Sequence, residues 1–90
     1  MNTPDSQQII QRFFDAIYYL KANKEIRGKA TFTKEYGIDR WNLLKLEKDM
    51  SRGIFQPAWL TYLVKDFGIS SQWLLTGAGP IKKPTKKTII

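Results

Sequence analysis

The sequence contains no cysteine and no histidine. Without cysteine there is no disulfide framework and no thiol nucleophile. Without histidine there is no imidazole base, and the usual nitrogen and sulfur ligand sets for zinc are missing. Apolar residues nowhere run to the roughly 18 in a row that a membrane-crossing helix needs. No glycine-rich phosphate loop occurs either. The glycines of "LTGAGP" (residues 75–80) follow a helical pattern, not a strand, and so read as a stop signal. Acidic residues are few, eight against fifteen lysines and arginines, and they are scattered. These absences predict a chain that is not an enzyme and carries no cofactor or metal. The polar opening "MNTPDSQQ" lacks the apolar core of a signal peptide, so the expected location is cytoplasmic, with no membrane partner.

What is present is charge and helical periodicity. The formal net charge of +7 attracts polyanions. Lys82, Lys83, Lys86 and Lys87 supply part of it, but the stretch from Arg27 to Arg52 holds seven basic residues against four acidic ones. Ninety residues make one small domain. Ile10, Phe13, Phe14, Ile17 and then Leu20 or Lys21 recur at three- and four-residue steps, which predicts a first helix to about Asn23 with Asp5 or Ser6 as its cap. After a connector broken by Gly28, a short helix is expected from Lys29 to Tyr36. A further helix runs from Asp39 to about Lys48. Pro57 opens a fourth, with Trp59 or Leu60, Leu63, Val64 and Phe67 turned inward, and Ser70 or Ser71 caps a fifth that Gly77 ends. The expected fold class is all-α: five helices, with no convincing strand. Residues 5–80 form the domain, and 81–90 are a basic tail without fixed structure.

"YGIDRWNLLKLEKD" (residues 36–49) is the most informative stretch. Gly37 fits the left-handed position just past a helix, and Asp39 fits the cap of the next. Two helices joined in about three residues cross at a large angle, as in a helix-turn-helix. At about 100° per residue, Leu43, Leu46 and Met50 share the inner face. Trp41, Leu44, Lys45 and Lys48 fall opposite, flanked by Arg40 and Asn42. A pinned helix carrying cations outward suits the major groove of DNA.

These residues also resemble a known family. "KATFTKEYGIDRWNLLKLEKD" is similar to the helix-turn-helix of the Xre or Cro/CI repressor-like (lambda repressor-like) family. Phe32 stands for its Leu, Gly37-Ile38 for Gly-Val, Asp39 for the Ser cap, Leu43 and Leu46 for the core aliphatics, and Glu47 for the closing Glu. "WLTYLVKDFGISSQWLLTGAGP" is similar to the end of phage CI-type repressor domains, and the resemblance covers about Ile10 to Pro80. It implies a compact five-helix DNA-binding domain and a transcriptional regulator of the repressor kind, acting on double-stranded DNA as a homodimer. By position, Arg40, Trp41, Leu44 and Lys45 would reach base edges. Lys29 and Lys48 stand at phosphate contacts, and Arg52 is a third phosphate candidate. The fifth helix (Ser71 to Thr76) and the loop from Asp49 to Gln56 are candidate dimer surfaces. Three substitutions depart from the pattern. Thr33 replaces a small Ala where the two helices cross, which predicts a looser crossing. Arg40 replaces a common Gln, moving the expected base from adenine to guanine. Trp41 and Leu44 are large and apolar for groove-facing positions.

A second reading uses the same residues. An outward Trp41-Leu44 pair is also what a protein-docking face would show, as in an antitoxin-like or adaptor module on the same fold. Glu47, an acid on a cationic helix, is expected to pair with a nearby cation or to cap backbone amides. Trp59, Tyr62, Phe67 and Trp73 are expected in the core or at a dimer contact.

Overall fold

The computed structural model of the chain describes residues 3–83. Its first helix, α1 (Pro4–Ala22), begins one step earlier than the sequence suggests. Pro4 takes the first helical position, where its missing amide hydrogen costs nothing. The Thr3 hydroxyl oxygen accepts the Ser6 amide at 3.1 Å, so Thr3, and neither Asp5 nor Ser6, is the cap. The remaining helices are α2 (Lys29–Tyr36), α3 (Arg40–Lys48), α4 (Ala58–Phe67) and α5 (Ser71–Thr76). The domain is therefore helical throughout, and among the described residues the only β pairing is an isolated bridge between Ile69 and Lys82.

α1 buries Ile10, Phe13, Phe14, Ala16, Ile17 and Leu20 along one stripe. Leu20, not Lys21, completes it. Phe13 lies at the centre of the core and is wholly buried. Its ring meets Phe14, Phe32 and Phe55 edge to face at centroid distances of 5.2, 5.8 and 5.4 Å, and lies 5.8 Å from Trp59. α1, α2, α4 and the loop before α4 thus converge on one ring. Edge-to-face pairs add roughly 0.5–1.5 kcal/mol each beyond the area they bury. Of the expected core or dimer aromatics, Trp59 is buried in this cluster, while Tyr62, Phe67 and Trp73 are half-buried against it.

Two further interactions fix the ends of the domain. Arg12 donates from Nε to the Leu74 carbonyl at 2.8 Å and from a terminal nitrogen to the Leu75 carbonyl at 3.1 Å. It thereby satisfies oxygens that the last turn of α5 leaves open. A side chain at Gly77 would be strained at φ +79°, and its Cβ would crowd that guanidinium at 3.3 Å. After α5 the chain turns back: the Ser70 amide donates to Ile81 and the Lys83 amide to Gly68, at 2.8 and 2.9 Å. Ile81 packs on the core, and Lys82 pairs with Glu25 at 3.0 Å. Residues 81–83, expected as the start of an unstructured tail, therefore belong to the folded domain. The remainder of that tail, 84–90, lies outside the described residues.

Phe13→Ala removes the shared ring. It is expected to cost about 3–5 kcal/mol of unfolding free energy, read from urea denaturation followed by circular dichroism. A cost below about 1 kcal/mol would contradict the central place given to Phe13.

Candidate nucleic-acid interface

The presentation of α3 begins with two residues. Gly37 adopts φ +65°, a left-handed conformation in which a larger side chain would be strained, and its amide donates to the Thr33 carbonyl. Two residues later, the Asp39 carboxylate accepts the amides of Trp41 and Asn42 at 2.9 and 3.1 Å. One helix ends and the next starts with two of its free amide hydrogens satisfied by the cap, so the turn needs no longer loop. Thr33 is buried on α2, its hydroxyl donating to the Ala30 carbonyl at 3.0 Å. Its extra polar atom is thus accommodated inside the fold.

Leu43 and Leu46 anchor α3 with no exposure at all, and Met50 is half-buried against the core. Arg40, Trp41, Lys45 and Lys48 are exposed, as the helical phase predicts, whereas Leu44 is half-buried. Among the described residues Arg40, Lys45 and Lys48 have no ion-pair partner, so their charge is directed to solvent. Arg52 lies in the following loop. Its Nε is 3.9 Å from the Asp49 carboxylate, an exposed surface pair that contributes little to stability. Hydrogen bonds from the Ser51 hydroxyl and amide hold the Asp49 carboxyl below its ordinary range.

Lys29 has a different position from the other cations. Its ammonium pairs with the Glu47 carboxylate and donates to the Tyr18 hydroxyl at 3.0 Å. Tyr18 in turn donates to the second Glu47 oxygen, and the Lys29 ammonium lies 5.3 Å from the centre of its ring. Lys29 is the first residue of α2 and Glu47 the penultimate residue of α3, while Gly37 to Asp39 join the other ends of the two helices. The ion pair thus closes the open side of the angle between them, and Tyr18 ties it to α1. Two of the three ammonium hydrogens are engaged, so Lys29 is first a brace, with one donor left for any phosphate. The expectation that Glu47 pairs with a nearby cation is met here. Nothing in the sequence points to Tyr18 or Arg12. Each lies on the flank of the α1 stripe, and its partners are distant in the chain.

Burial would raise the Glu47 carboxyl. The hydrogen bonds from Lys29 and Tyr18 and the adjacent positive charge outweigh burial and hold it below its ordinary range. The hydrogen bond to Glu47, with that to Tyr18, raises Lys29 above its usual value. Among the described residues no three potential ligands gather to hold a metal ion. No helix there is long and apolar enough to cross a membrane. No family model, curated protein or solved structure matches the chain.

Glu47→Gln keeps the shape of the brace and removes its charge. The expected cost is about 1 kcal/mol at neutral pH, since the pair is partly open to water. A carboxyl depressed in the folded state stabilises the fold above its unfolded value, near 4.5, and loses that contribution as pH falls through the folded value. The stability gap between wild type and variant should therefore be full above about pH 5 and narrow on acidification, as read from thermal melts across pH. A gap independent of pH would show that the charge plays no part.

Proposed function

We propose that the protein is a sequence-specific regulator that binds double-stranded DNA, with α2 and α3 as a helix-turn-helix on a lambda repressor-like domain. The observation that carries this reading is the outer face of α3. Three cations without an ion-pair partner among the described residues surround an exposed tryptophan, on a helix set by a tight turn at one end and an ion pair at the other. In this reading α3 enters the major groove, where Arg40 and Lys45 donate to guanine O6 and N7. Lys48 and Arg52 lie against phosphates, joined by the remaining donor of Lys29. Repression is the simplest outcome, since a domain seated in the groove occludes its site. The regulator acts in the cytoplasm.

A single recognition helix covers few base pairs, so specific binding calls for a homodimer on two half-sites about one helical turn apart. The apolar side chains that support such a dimer lie on the α5 side of the domain. Leu75 is 53% exposed there, and it lines a groove of about 300 Å³ with Pro57, Leu60 and Val64.

One observation favours a second reading. Trp41, 71% exposed, is the most exposed large apolar residue described, and a partner protein could cover it. The cations beside it favour DNA.

The decisive experiment is selection of a binding site from random duplexes, followed by titration of that site at several salt concentrations. Arg40→Ala combined with Lys45→Ala should weaken binding by about 1–3 kcal/mol for each base-reading side chain removed. The affinity should also fall steeply with salt. An unchanged affinity in the double variant would remove α3 from the interface. A protein complex that depends on Trp41 and barely responds to salt would establish the second reading instead.

A further inference from the structure

The chain contains three tryptophans, two of which are placed by the core. Trp59 is 5% exposed within the aromatic cluster, and Trp73 is half-buried against the core. Trp41 is different. It is the second residue of α3, 71% exposed, and among the described residues no hydrogen bond or ring contact engages its indole. Lys45 follows one turn later on the same side of α3, so a polyanion held by its ammonium lies close to the indole ring. Leu44, half-buried three residues on, extends the apolar strip beside it. A ring of this kind is poorly suited to reading a hydrogen-bond pattern, because it offers one N–H and no acceptor. On the major-groove edges of the base pairs only one group is apolar, the C5-methyl of a pyrimidine.

Resting on the DNA reading above, we propose that Trp41 is a specificity determinant that recognises the C5-methyl group of a pyrimidine in the major groove. The amphipathic edge of the site then divides in two. Arg40 and Lys45 select a base by hydrogen bonding, and Trp41 with Leu44 selects its neighbour by burying a methyl. Thymine and 5-methylcytosine present the same group in the groove, so both chemistries fit the indole, and the pairing partner decides which is met.

The test uses the full chain and the duplex enriched from the random pool. Each thymine is replaced in turn by deoxyuridine, which removes only the methyl, and each cytosine by 5-methylcytosine, which adds it. At one or two positions the wild type should lose about fourfold in affinity with deoxyuridine, or gain about fourfold with 5-methylcytosine. That factor follows from the transfer free energy of one buried methyl-sized group. The first result identifies thymine as the source of the methyl, the second 5-methylcytosine. Trp41→Ala should bind more weakly and be indifferent to either change. Trp41→Phe, which keeps an apolar ring without the N–H, should retain the discrimination.

Equal wild-type affinity for every methyl variant of the site overturns the proposal and leaves DNA binding standing. So does discrimination that persists in Trp41→Ala. Loss of discrimination in Trp41→Phe would overturn it too, because an apolar ring in that place would then not be sufficient. Failure to enrich any site removes the DNA reading itself and this inference with it. The comparison of wild type across duplexes needs no variant, so it stands even if a substitution disturbs folding.

Discussion

Phe13 sits where α1, α2, α4 and the loop preceding α4 meet, and its four aromatic neighbours approach it from different directions. Edge-to-face contacts are directional, so this cluster fixes orientation as well as burying area. Phe32 carries the constraint onward, because it is the α2 side chain that touches both Phe13 and Tyr36. Tyr36 then stacks on Tyr62 of α4 at 4.2 Å and donates to Asp66 at 2.6 Å. Burial, and then the bond to Asp66, raise the Tyr36 phenol well above its ordinary value, so it remains a neutral donor. The direction of α2 is therefore set from both sides before α3 begins.

Because α3 hangs from α2, its exposure depends on that direction. Between them Gly37 and Asp39 supply the corner, and the Lys29–Glu47 pair supplies the strut. The strut is about a quarter exposed at each partner, so water screens it and its contribution to stability is modest. Its larger effect is on angle. In the DNA reading proposed above, α3 displaced by an ångström would miss the groups it is to meet, so a weak bond in the right place can matter more for binding than for folding.

Much of this architecture is legible in the sequence. The 3.6-residue periodicity of Ile10, Phe13, Phe14 and Ile17, the Gly37 stop and the Asp39 cap each state a local physical requirement, and the structure satisfies each. What the sequence conceals is of another kind. Asp5 and Ser6 lie closer to the apolar stripe than Thr3 and compete with it as caps, and only the Pro4 ring decides between them. Ile26 is buried although it stands alone in a connector, where one apolar residue has no period to betray it. Residues 81–83 are held by two backbone hydrogen bonds, by Ile81 on the core and by the Lys82–Glu25 pair, contacts too distant in the chain to leave a local pattern. The role of Lys29 depends on Glu47, eighteen positions away, and a pairing of that kind is a property of the fold. The outward phase of Arg40, Trp41, Lys45 and Lys48 is readable from helical geometry; the ligand they meet is a matter of proposal.

The unequal burial of the three tryptophans has an optical consequence. An indole in water emits at longer wavelength and is quenched readily by small solutes, while one packed among Phe13 and Phe55 is shielded from them. Trp41 is thus the indole set to emit red and to be quenched, Trp59 the one shielded in the core, and half-buried Trp73 lies between them. A ligand that covers Trp41 is expected to shift the exposed emission first, because Trp59 lies inside the core. The molecule carries a reporter for its outer face and an internal reference for its core, without any label.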